Sequence, residues 1–88
     1  MTAIIYPGYH LTPITKGTLG EVSKIQEEFE EFLDATKQDN PLMQLQELSD
    51  MIGAIEAWLS NMHPTIGLED LIKMHDATKR AFVNGHRK

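Results

Sequence analysis

The chain has no cysteine, so no disulfide can staple its fold and no structural zinc site is to be expected. That absence is compatible with a reducing cytoplasm, which is the expected location. No apolar run reaches the roughly 20 residues of a membrane-spanning helix, and the first residues lack the charged-then-apolar pattern of a signal peptide. An excess of positive charge is missing too. Eight Lys and Arg against thirteen Asp and Glu leave a formal net charge of −5, which argues against a duplex nucleic-acid binder. There are no repeats and no low-complexity segments. The 88 residues make one domain, and a chain this short buries a small share of its surface. With no staple, oligomerisation is the remaining support, and a homodimer or a dimer of dimers is expected.

What the chain does have is acid, and the acid is patterned. Glu27-Glu28-Phe29-Glu30-Glu31 is answered sixteen residues later by Glu47-Leu48-Ser49-Asp50. Glu28/Glu31 and Glu47/Asp50 are i, i+3 pairs, and on a helix each pair shares a face. With Glu28 at zero and about 100° per residue, Ile25, Phe29, Phe32 and Ala35 fall between about −20° and 100°. Glu28 lies inside that apolar arc and Glu31 on its border, whereas Glu30 and Asp34 point away. On the second segment Met51, Ile55, Leu48 and Trp58 lie to one side of Glu47, with Ala54 and Met43 between Glu47 and Asp50. Both pairs therefore straddle the edge of a core-facing stripe. Burying unpaired carboxylates costs several kcal/mol per ion, so four that face one another need counter-charge. A divalent metal is the obvious supplier.

Residues 1–15 carry Pro7, Gly8 and Pro13 and read as an extended or looped arm. Ile4, Ile5, Tyr6, Tyr9 and Leu11 are too apolar for a free tail. They pack on the helices or a neighbouring subunit, or else Tyr9 or Ile14 lines a pocket for a base. Thr18-x-x-Glu21 makes a capping box that predicts a helix from Thr18 to about Thr36, buried through Leu19, Val22, Ile25, Phe29, Phe32 and Leu33. Lys24 shares the acid face, either as an i, i+4 salt bridge or as a phosphate ligand. Asn40-Pro41 supplies an N-cap and a proline at the first helical position. The second helix then runs to about Asn61, with Gly53 allowing a close helix approach and Trp58 either in the core or stacking on a base. A third helix, about Leu68 to Asn84, ends at Gly85. Its inner stripe is Leu68, Leu71, Ile72, His75, Thr78 and Phe82, with His75 as a packing residue. The basic residues Lys73, Lys79, Arg80, Arg87 and Lys88 concentrate in this last part, opposite in sign to the first helix.

Glu27-Glu28-x-x-Glu31 followed by Glu47-x-x-Asp50, in helical context and with fifteen residues between the halves, resembles the signature of the MazG-like all-α nucleoside triphosphate pyrophosphohydrolases. That superfamily includes dimeric dUTPases and phosphoribosyl-ATP pyrophosphohydrolases. The resemblance covers roughly residues 16–86, and the chain is similar in size to short phage-encoded members. It implies a helical hairpin with a third helix, closing into a four-helix bundle on oligomerisation. The implied reaction is Mg²⁺-dependent hydrolysis between the α and β phosphates, with Mn²⁺ as a substitute ion. Glu28, Glu31, Glu47 and Asp50 are the expected metal cage, with Glu27 holding a second metal or orienting the attacking water. Lys24, Lys73, Lys79 and Arg80 are the candidate substrate contacts. Larger relatives often carry a lysine and an asparagine on the third helix. Here Lys73-Met74 resembles the lysine part, but Ala77 or Thr78 stands where the asparagine is expected.

Three rivals remain. A carboxylate-bridged di-iron bundle is disfavoured, because it uses Glu-x-x-His pairs and neither acid motif has histidine at that offset. A non-enzymatic helical adaptor would carry its acids for solubility alone, against their core-edge placement. Phosphoribosyl-ATP hydrolysis is the nearest enzymatic alternative.

Overall fold

A computed structural model describes residues 4–5 and 10–83, the side chains of 4, 5, 81 and 82 excepted. Three helices follow a short antiparallel bridge: β1 (Ile4–Ile5), β2 (Ile14–Thr15), α1 (Val22–Lys37), α2 (Pro41–Met62) and α3 (Leu68–Val83). Ile4 pairs with Thr15 and Ile5 with Ile14, so the arm is extended at these two places. Tyr6, Tyr9, the Pro7-Gly8 turn and Gly85 lie outside the described residues. The chain is all-helical in its main elements, and no described helix is long and apolar enough to cross a membrane.

α1 and α2 form an antiparallel hairpin, and among the described residues α3 touches α2 and not α1. The turn between α1 and α2 is tight. The backbone N–H groups of Gln38, Asp39 and Asn40 donate to Asp34, Thr36 and Ala35 carbonyls, and Asp39 takes a left-handed φ of 53°. Asn40 then caps α2 as its sequence predicts: its side-chain oxygen accepts from Met43 N–H at 3.1 Å, with Pro41 at the start of the helix.

The start of α1 departs from the sequence reading. The capping box at Thr18 does not form. Helix geometry begins at Val22, Glu21 makes no side-chain cap bond, and Thr18 N–H donates to Ser23 Oγ instead. The cause lies in the preceding loop, where Gly17 passes directly against the first turn. A Cβ at Gly17 would collide with the Ser23 carbonyl, so only glycine lets the chain pass there. Gly53 is different. A Cβ there would meet nothing within 4 Å, so it marks no close helix approach.

The larger correction concerns which face of α1 is inside. Glu27, Glu28, Glu31, Asp34 and Ala35 are buried, while Leu19, Val22, Phe29 and Leu33 are exposed. The buried positions follow the i, i+1, i+4, i+7, i+8 pattern of one helix face. At about 100° per residue the exposed apolar stripe lies nearly opposite them. Asp34, expected to point away, is 1% exposed. In this single chain α1 thus turns its acids toward α2 and the arm and its apolar stripe outward. The buried apolar residues among those described are few: Ile14, Ala35, Ala54 and Leu59. Ile14 is therefore a core residue of the arm. The predicted inner stripe of α3 is only partly covered: Leu68, Leu71 and Thr78 are half-buried. Ile72 and His75 are exposed, so His75 is not a packing residue, because α3 meets α2 over too little of its length to cover them. Trp58 is half-buried and sets its ring edge-on to His63, centroids 5.2 Å apart.

Candidate metal centre

Where α1 and α2 face each other, five carboxylates converge. Glu27, Glu28 and Glu31 each place an oxygen within 4.8 Å of the other two, and so do Glu28, Glu47 and Asp50. Glu28 is common to both groups and links the helices. Glu27, Glu28, Glu31 and Glu47 are buried, and Asp50 is exposed at the edge, where Gln46 donates to its Oδ1 at 3.0 Å. The structure thus brings together every acid that the sequence proposed for the cage.

The electrostatics of this group are those of an incompletely neutralised cluster. Burial raises the Glu28 carboxyl to about 7, the nearby Glu31 carboxyl adds to the rise, and Lys24 offsets part of it. Glu31 is raised first by burial and then by Glu47, with Glu28 working in the opposite direction. Glu47 is raised by burial and by the charges of Asp50, Glu28 and Asp34, against a lowering from Glu31. Lys24 supplies the nearest positive charge: Nζ lies 3.1 Å from Glu28 Oε1 and 3.2 Å from Glu27 Oε1. Burial alone would lower its pKa, but the two glutamates raise it. The salt-bridge alternative for Lys24 is therefore realised. Two buried oxygens, Glu28 Oε2 and Glu47 Oε2, accept no hydrogen bond among the described residues. A buried carboxylate oxygen with no donor is costly. A hard divalent cation with several oxygen ligands fits this donor set.

Glu27 sits closer to the centre than its helical angle suggested. Gly17 N–H donates to its Oε1 at 2.8 Å, and Lys24 Nζ binds the same oxygen. The tight passage at Gly17 is what carries that N–H to the glutamate. Lys73, Lys79 and Arg80 stay on the exposed surface of α3. Lys79 and Arg80 line a surface pocket with Asp76 and Val83. Among the described residues, none of the three pairs with an acid of the cluster; Lys24 is in ion-pair contact with it, and the His10 ring lies against Glu31.

Two residues beside the cluster escaped the sequence reading. Asp34 takes the backbone N–H of Leu11 and of Thr12, the Thr12 hydroxyl and the Gln38 amide, at 2.7 to 3.1 Å. Burial alone would raise this carboxyl, but the donors from Gln38, Thr12 and Leu11 outweigh it and hold it at about 2. His10 has its ring between Asp34 and Glu31. One signal was present: Asp34 extends the Glu28–Glu31 ladder by a further three residues. Nothing local marks His10.

No family model, no curated protein and no solved structure matches this chain.

Proposed function

We propose that the protein is a divalent-metal-dependent nucleoside triphosphate pyrophosphohydrolase, cleaving between the α and β phosphates to release a nucleoside monophosphate and pyrophosphate. The observation that carries this reading is the buried carboxylate cluster with two undonated oxygens, Glu28 Oε2 and Glu47 Oε2. Solubility does not require four glutamates withdrawn from water. Glu28, Glu31, Glu47 and Asp50 would hold Mg²⁺, with Mn²⁺ as a substitute; when bound, the ion supplies charge neutralisation for the phosphates. Phosphoryl-type displacement needs little covalent help beyond positioning and such neutralisation. Glu27, fixed through Oε1 by Gly17 and Lys24, is assigned to orient the attacking water through its other oxygen. Lys24 is the substrate-side cation nearest the cage, and Lys73, Lys79 and Arg80 meet the phosphates from α3 or from a neighbouring subunit.

The exposed apolar stripes support a homo-oligomer, a homodimer or homotetramer. Leu42 and Leu45 of α2 are 79% and 65% exposed, and Phe29 and Leu33 of α1 are exposed as well. Two α1–α2 hairpins that pair these stripes about a two-fold axis make a four-helix bundle. Light scattering is expected to give at least twice the 10.0 kDa chain mass; a folded monomer at micromolar concentration removes this part.

The deciding experiment incubates the protein and Mg²⁺ with the eight common ribo- and deoxynucleoside triphosphates, dUTP and phosphoribosyl-ATP, and separates the products by chromatography. Monophosphate and pyrophosphate are expected from at least one nucleoside triphosphate. Turnover of phosphoribosyl-ATP alone moves the assignment to that reaction. Orthophosphate as the sole product, or no turnover with either metal, leaves a helical adaptor.

A further inference from the structure

His10 belongs to neither helix of the acid cluster, yet its side chain has no exposed surface and reaches that cluster. Nε2 lies 3.3 Å from Glu31 Oε1, and Nδ1 lies 3.4 Å from Asp34 Oδ1. Asp34 is itself held by Leu11, Thr12 and Gln38. The ring is thus pinned on one side by a hydrogen bond to an engaged carboxylate, and on its other side Nε2 lies within contact distance of a cage glutamate, without a hydrogen bond to it. We infer that His10 is a positioning residue for the metal cage, holding the Glu31 carboxylate where it converges with Glu28 and Glu47.

This inference rests on the metal reading above. Its physical basis is that Glu31 stands among like charges and has three rotatable bonds with which to turn away from them. A ring wedged between Glu31 and an immobile Asp34 opposes that turn. Partners that orient a ligand from outside the ligand shell are worth 10- to 100-fold in metal affinity. The competing account is that His10 only fastens the arm to α1, through Asp34. The two accounts use different ring nitrogens, so amide substitutions can separate them. Glutamine sets an amide nitrogen near the place of Nε2, toward Glu31. Asparagine sets one near the place of Nδ1, toward Asp34.

The test titrates the full chain with Mn²⁺ and follows the loss of the free-ion paramagnetic resonance signal, below the melting temperature of the weakest variant. His10→Gln is expected to keep wild-type Mn²⁺ affinity within a small factor. His10→Asn is expected to lose 10- to 100-fold. Thr12→Val, which removes one donor from Asp34, is expected to melt earlier yet bind Mn²⁺ like wild type. Wild-type affinity in His10→Asn, or a loss in Thr12→Val as large as in His10→Asn, overturns the inference in favour of simple fastening. Should His10→Asn not fold, His10→Leu takes its place with the same expected 10- to 100-fold loss, and wild-type affinity there, or a tenfold loss in His10→Gln, overturns the inference. A folded wild type that binds no Mn²⁺ defeats the metal reading itself, a result that needs no variant and is therefore distinct.

Discussion

Asp34 and Glu28 lie on one helix, and both are buried, at 1% and 5% exposure. Their chemistry is nevertheless opposite. Asp34 collects donors from Leu11, Thr12 and Gln38 and is held at about 2. Glu28 has Lys24 on one oxygen, no donor among the described residues on the other, and acidic neighbours, and it rises to about 7. Burial alone therefore says little about what a carboxylate does. The donors around it decide whether it is a finished structural anchor or a group that needs a cation. The arm end of α1 is finished, and the middle is not.

The largest effect is expected from breaking the finished end. Asp34→Asn removes the charge that its donors stabilise and turns an amide N–H toward at least one of them. A loss of about 3 kcal/mol follows, since leaving the partners of a buried charge unmatched costs that much or more. In a chain of this size that lowers the melting temperature by at least about 10 °C. A melt within a few degrees of wild type would show that the donors do not anchor the arm.

Completing the unfinished middle comes next. Metal at a hundredfold excess over its dissociation constant stabilises the folded state by about 2.7 kcal/mol if it binds that state only. The melting temperature should rise by about 10 °C with Mg²⁺ or Mn²⁺. Glu47→Gln should abolish most of that rise while leaving the metal-free protein folded, because it removes a charge from the cluster. Equal melting temperatures in EDTA and in millimolar metal would remove the basis of the site.

The pH dependence should show the same opposition without any mutation. Asp34 is lowered from 3.8 to about 2, so its stabilisation is present above pH 3.8 and is lost as pH falls through 2. Glu28 is raised from 4.5 to about 7. The folded state holds that proton more tightly, so metal-free stability falls as pH rises from 4.5 through 7 and levels off above. The raised Glu31 and Glu47 act in the same direction. Metal-free protein should be most stable near pH 4 to 5, and saturating Mg²⁺ should flatten the decline toward pH 8. A metal-free stability that climbs between pH 5 and 7 contradicts the assigned shifts.

The helices and the acid quartet were legible in the sequence because both rest on local spacing. Asn40-Pro41 carries its own cap, and Glu28/Glu31 and Glu47/Asp50 share faces by helical periodicity alone. The inside of α1 was not legible. Periodicity finds two faces on that helix, one acidic and one apolar, and ordinary burial energetics select the apolar one. The arm and α2 cover the acidic face instead, through contacts more than twenty residues apart in sequence, such as Leu11 and Thr12 to Asp34. The failed capping box has a similar origin, since Gly17 forces the loop across the first turn of the helix. His10 reaches Glu31 only after the arm has folded back, so no spacing rule could place it.

The smallest effect is expected at Lys24, and its sign is the informative part. In the metal-free protein its ammonium bridges Glu27 and Glu28 at 3.2 and 3.1 Å. The side chain is 23% exposed, so the pair is partly screened, and Lys24→Gln should cost about 1 kcal/mol. An ammonium that neutralises Glu28 of the proposed cage and its neighbour Glu27 also competes with any cation entering there. Lys24→Gln should therefore bind Mn²⁺ several-fold more tightly than wild type, even as its metal-free form melts earlier. If Lys24 turns to a phosphate once metal is in place, the same variant should show a raised KM for the nucleotide with less change in kcat, the pattern of lost uniform binding. Weaker Mn²⁺ binding in Lys24→Gln would mean that the lysine organises the glutamates rather than standing in the ion's place. The unfinished middle of α1 would then depend on its own lysine as well as on metal.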